Sequence, residues 1–192
     1  MFKTAILFAV TVVTCHGNGL TRQISCGLIP KNLLTCIGDP QIVDRSLTTE
    51  CSNKDNECDT TVCVFRSQGW LEGNATDGSF KVDKKKVSDY FDKYAKDHEV
   101  WSAAVQALKT DCLGQDLQTQ GPYLNCAAYD ILHCIWKNFV WNTPASQWSS
   151  NTECITTKQV VEACPLCPNN CFATAIPIGS CNACYLQPKR KS

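Results

Sequence analysis

The chain has 192 residues, 15 of them cysteine, and sets 18 basic side chains against 18 acidic ones. A balanced charge without a basic stripe argues against nucleic-acid or anionic-lipid partners. Cysteine at this density belongs to an oxidising compartment, where disulfides supplement the core.

Met1 to Lys3 is a short basic start, and the next eleven residues, 4–14, form an apolar run too short to span a bilayer. Cys15 and Gly17 suit the −3 and −1 positions of a cleavage site. Residues 1–17 are therefore predicted to be a secretory signal peptide; the bland alternative is a buried N-terminal helix. No later stretch approaches ~18 uninterrupted apolar residues, so the mature chain is expected to be soluble, secreted and extracellular. Removing residues 1–17 takes away Lys3 and Cys15, which leaves 17 basic against 18 acidic residues, a net charge of −1, and fourteen cysteines. An even number of cysteines in that setting suggests seven disulfides and no free thiol. Residues 18–192 read as one domain whose cysteine-rich extension begins near residue 150, with no internal repeat or linker.

Helical periodicity dominates the middle of the chain. Residues 84–96 place Val87, Phe91, Tyr94 and Ala95 on one helical face, with the Lys84-Lys85-Lys86 cluster as a solvated start and Asp97 or His98 as the break. Residues 99–112 continue with Val100, Ala104, Ala107 and Leu108. Gly121-Pro122 predicts entry into a third helix over 122–140, apolar almost all round and therefore central. A short helix is expected over 157–164, capped by Thr156 or Thr157. Alternating strand patterns are nearly absent. The predicted class is all-α.

Cys58 and Cys63 are five apart, so on a helix they point about 140° away from each other and are expected to reach different elements. Cys126 and Cys134 lie about 12 Å apart along a helix, beyond disulfide reach of one another. Cys164-x2-Cys167 and Cys181-x2-Cys184 approach zinc-ribbon spacing. The intervening Cys171, the flanking Pro165 and Pro168 and the secreted setting favour disulfides over tetrathiolate zinc or a redox pair. Asn74-Ala75-Thr76 is a glycosylation sequon in a Gly/Asn/Asp-rich loop, or simply a turn.

Catalytic signals are absent from the sequence. After loss of the signal segment only His98 and His133 remain, and G-x-S-x-G, H-E-x-x-H and phosphate-cradling glycine loops do not occur. His133 reads as a hydrogen-bonded core residue and His98 as a solvated one. The expectation is a protein that is not an enzyme, with no cofactor and no metal.

The run Cys58-x4-Cys63-Val64-Phe65, then Gly69-Trp70-Leu71, Asp77-Gly78 and Val82, followed by Cys112, Cys126 and Cys134, resembles the insect odorant-binding proteins. Cys164-Pro165 and Cys167-Pro168 resemble their Plus-C branch. The usual family spacing is three residues where Cys58 and Cys63 are separated by four, and eight where Cys126 and Cys134 are separated by seven. The resemblance implies a disulfide-stapled bundle of about six or more helices around an apolar cavity. It also implies an interlocked pairing: Cys58 with Cys126, Cys112 with Cys134, and Cys63 with Cys36 or Cys26. The other cysteines, Cys51, Cys154, Cys164, Cys167, Cys171, Cys181 and Cys184, are expected in bridges without assigned partners.

The function so implied is a carrier that binds small hydrophobic, odorant- or pheromone-like molecules and transports them through extracellular fluid for olfaction. Its partners would be that ligand and, indirectly, a membrane receptor, with the protein a monomer or weak homodimer. Trp70, Trp101, Trp136, Phe139 and Trp141 are either plain core or walls of a pocket. The candidate ligand-binding residues are Phe91, Leu108, Leu132, Ile135, Trp136 and Phe139, with residues 172–185 a candidate lid. The alternative is a secreted disulfide-rich interaction or inhibitory protein with a filled core.

Overall fold

The computed structural model describes residues 30–73, 80–117, 123 and 125–163. Among these residues the chain is helical, with seven α-helices and one two-stranded hairpin. The all-α class therefore holds apart from that hairpin, and four disulfides staple the helices together. The predicted signal segment, Cys26, the Asn74 sequon, the lid segment and Cys164, Cys167, Cys171, Cys181 and Cys184 lie outside the described residues.

Two short helices, α1 (Leu33–Cys36) and α2 (Arg45–Glu50), precede α3 (Glu57–Ser67). The Asn56 side chain caps α3 by accepting from the Asp59 amide. The helix ends on Gly69, whose φ of +72° is costly for any residue with a Cβ. There the Trp70 amide donates to the Phe65 carbonyl at 2.8 Å and the Gly69 amide to that of Arg66 at 2.9 Å. Phe65 and Trp70 meet edge to face with centroids 5.0 Å apart, the apolar contact that accompanies this kind of helix end. The chain then enters the hairpin, where β1 (Leu71–Glu72) pairs antiparallel with β2 (Lys81–Val82).

Helix α4 (Lys84–Asp97) starts on Asp83, whose carboxylate accepts from the Lys86 amide. It buries Val87, Phe91 and Tyr94 on one face, as the spacing predicts. The segment expected as a single helix over 99–112 divides into three parts. A 3-10 turn at Glu99–Trp101 leads into α5 (Ser102–Leu108), which widens into a π turn at Lys109–Leu113. A π turn inserts one residue into the helical register. That shift accompanies Cys112 reaching Cys134 on the facing helix, a 2.08 Å bond.

The central helix begins five residues later than Pro122: α6 spans Ala127–Trp141. Asn125 sits at φ +61° and the Cys126 sulfur is tied to Cys58, so the chain turns before the helix can start. Helix α7 (Thr152–Ala163) begins earlier than expected, because the Asn151 side chain accepts from the Glu153 amide at 3.3 Å. Thr157 is therefore not a cap. It lies buried within α7 and donates its hydroxyl to Asn32 Oδ1 at 2.7 Å.

Cys58 and Cys63 bond to different elements, in keeping with their angular separation on α3. Cys58 joins Cys126 and Cys63 joins Cys51. This corrects the pairing of Cys63 with Cys36 or Cys26. Cys36 instead bonds Cys154, which brings α1 against α7.

Candidate functional site

The interior where α4, α5 and α6 meet is built largely from rings. Phe139 of α6 lies 6.0 Å from Phe91, 5.7 Å from Tyr94 and 5.3 Å from Trp101, centroid to centroid. Trp70, at the end of α3, contacts Phe65, Tyr90 and Phe91 at 5.0, 5.0 and 6.2 Å. These separations are those of favourable edge and tilted ring pairs. The Tyr94 hydroxyl closes the cluster by donating to the Pro40 carbonyl, which ties α4 to the segment before α2. Burial pushes its pKa well above the usual phenol range, with Tyr90 and Asp39 adding to the effect, so it stays a donor.

Of the six candidate ligand-binding residues, Phe91, Leu108, Ile135 and Phe139 are brought together in this core and are all but inaccessible. Leu132 and Trp136, on the same helix, are partly buried and pack against its edge.

A cleft of about 340 Å³ opens elsewhere, between the start of α4 and the first turn of α6. It is lined by Lys84, Asp116, Leu117, Asn125, Ala127, Asp130 and Ile131, and none of the six candidates reaches it. The Lys84 ammonium donates to the Gln115 carbonyl at 2.7 Å and to Asp116 Oδ1 at 3.0 Å. Asp116 is fully exposed, so this ion pair is screened and weak. Sequence reasoning treated this stretch as the approach to a helix and missed the cleft. Asn125, at φ +61°, is one of its lining residues, and an asparagine before an apolar helix was the available signal.

A third group lies where α3 faces α6. His133 is buried, and its Nδ1 lies 2.8 Å from the Tyr129 carbonyl, an acceptor only, so Nδ1 carries the proton. Burial lowers the His133 pKa, against opposing contributions from that hydrogen bond and from Glu57. It therefore sits neutral at pH 7, the core role expected of it. Tyr129 is fully buried between Tyr123 and His133, at ring distances of 5.0 and 4.1 Å, and its hydroxyl finds no hydrogen-bond partner among the described residues. His98, by contrast, is exposed at the end of α4, stacked on Tyr94 at 4.3 Å.

Among the described residues no group of His, Cys, Asp or Glu is arranged to hold a metal ion, and no helix is long and apolar enough to cross a membrane. No protein-family model matches the chain, and no curated protein matches it either.

Proposed function

We infer that this chain is a secreted, extracellular carrier of the odorant-binding type, holding small hydrophobic molecules reversibly without catalysis. One observation carries the reading. Taken along the chain, Cys51, Cys58, Cys63, Cys112, Cys126 and Cys134 pair first with third, second with fifth and fourth with sixth. That is the interlocking the resemblance implies, with Cys51 in the place expected for Cys36 or Cys26. These bridges tie α2 to α3, α3 to the start of α6, and the π turn to the middle of α6. A frame so cross-linked limits how far the helices can close on the interior if Phe139 and its neighbours part for a ligand. The reading takes the protein to be a monomer or weak homodimer, with a receptor met through the delivered ligand.

Titration with an environment-sensitive apolar fluorophore tests it. Saturable binding near micromolar Kd, about −8 kcal/mol, with displacement by volatile or lipid-like compounds, is expected. The absence of saturable binding across a broad panel would sink it.

A second reading, an interaction or inhibitory protein with a filled core, is favoured by the close ring contacts of Phe139 and by a cleft that lies elsewhere. Phe139→Ala separates the two. A carrier binds the fluorophore as wild type and loses affinity in the variant. A filled core binds nothing as wild type and gains a site where the ring was removed.

A further inference from the structure

We propose that residues 39–44 form a strap that opens as a unit, that the Tyr94 hydroxyl latches it through the Pro40 carbonyl, and that a small apolar ligand reaches the ring cluster beneath it. The role as a door rests on the carrier reading; the opening itself does not.

The strap crosses the core between two fixed ends. At one end Cys36 is bonded to Cys154, and the Gly38 amide donates to the Gln147 carbonyl at 2.8 Å. At the other, α2 packs on α3 and Cys51 is bonded to Cys63. The backbone between them is nearly untied. Among the described residues, none of 39–43 takes part in a backbone–backbone hydrogen bond. The contacts that brace the strap are local. Asp39 accepts from the Gln41 amide at 2.9 Å and pairs with Arg45, and Asp44 accepts from the Ser46 amide at 2.8 Å. These bonds fix its shape without holding it to the core, so it moves in one piece.

Little holds it down. Pro40 and Ile42 are buried whereas Asp39, Gln41 and Asp44 are exposed, the alternation of an extended segment lying on a core. Ile42 joins the cluster that contains Phe91, Tyr94 and Phe139. Among the described residues, the Tyr94 hydroxyl makes the one hydrogen bond that reaches the strap from a helix other than α2. Opposing it is the backbone of Gln41, at φ +46°, a left-handed conformation that disfavours any residue with a Cβ and that opening relieves. A segment with so few ties opens locally far more often than the whole chain unfolds. Tyr94 also marks what lies behind the strap. Its ring meets Phe91 at 5.9 Å and Phe139 at 5.7 Å, so lifting Pro40 and Ile42 uncovers the ring cluster.

Two experiments on the full-length, disulfide-intact protein test the proposal. The first needs no ligand. Thermolysin cuts on the amino side of bulky apolar residues, here Ile42 and Val43, at a rate set by the open population when reclosing is fast. Among the described residues the first cuts should fall within 39–44, with the halves joined through Cys36–Cys154 until reduction. Tyr94→Phe keeps the ring contacts and removes the latch, so these cuts should come about fivefold faster, the factor for one net hydrogen bond. Cuts in α5 or α6 as fast as those in the strap would mean whole-chain unfolding and overturn the proposal, as would an unchanged rate in the variant. The second follows an apolar fluorophore by stopped flow. Association and dissociation rates should both rise about fivefold in Tyr94→Phe. Gln41→Gly, which relieves the closed backbone, should lower both. A rise in the dissociation rate alone would make Tyr94 a ligand contact and overturn the role as a door, as would wild-type rates in both variants. If the wild type binds no fluorophore, the carrier reading and the door fall together, while the cutting still decides the opening.

Discussion

Tyr129→Phe should make this protein more stable. The Tyr129 side chain is fully buried and its hydroxyl has no hydrogen-bond partner among the described residues. A buried hydroxyl that has left water without a protein partner costs about 1–3 kcal/mol. The ring contacts with Tyr123 and His133 are made by carbon faces that phenylalanine reproduces. The His133 hydrogen bond goes to the Tyr129 backbone carbonyl and is unaffected. Burial also pushes the phenol pKa well up, with Glu57 the next contributor, so ionisation offers the oxygen no alternative stabilisation. Deleting one oxygen thus removes a cost while leaving the packing in place. For a chain of this size, each kcal/mol raises Tm by about 2–4 °C. Equilibrium unfolding in urea, followed by circular dichroism with the disulfides intact, should show a gain of about 1–2 kcal/mol at unchanged slope. A loss of 1 kcal/mol or more would mean that the hydroxyl is hydrogen-bonded in solution, and the argument would fail.

Replacing both Cys58 and Cys126 by alanine opens the bridge with a sequence separation of 68, and the chain-entropy relation puts the loss at about 4 kcal/mol; a denaturation midpoint equal to wild type would contradict the structural role given to that bridge. His133 ties stability to pH. Its folded-state pKa is depressed by burial, so the unfolded chain binds a proton there first, and stability present above about pH 6.5 is lost as pH falls toward the folded value. Between pH 7 and 5 the unfolding free energy of the wild type should therefore fall more steeply than that of His133→Gln, and parallel profiles would remove His133 as the cause.

The helix α4 and the burial of Phe91 and Tyr94 were legible in the sequence, because an amphipathic repeat flanked by a capping aspartate needs no distant partner to declare itself. The separate destinations of Cys58 and Cys63 were legible for the same reason, since helical geometry alone sets the angle between them. The start of α6 was not. Pro122 is a good helix opener locally, but the Asn125 turn and the bond from Cys126 to α3 moved the start to Ala127. The start of α7 moved because Asn151 caps it, and Thr157, a plausible cap, lies inside the helix bonded to Asn32, 125 residues earlier. Four of the six candidate binding residues converge in the core, yet the cleft formed at a turn whose walls come from distant stretches of chain.

The sequence by itself determined the helical class and the apolar face of α4, whereas Val100, placed on the apolar face of the 99–112 segment, is exposed. The class and the α4 face follow from composition and from spacings within one or two turns. Only the tertiary structure decided which sulfur meets which, so that Cys51 takes Cys63 while Cys36 crosses to Cys154. A disulfide forms where two side chains lie within a few ångströms, and that proximity belongs to the packed helices together.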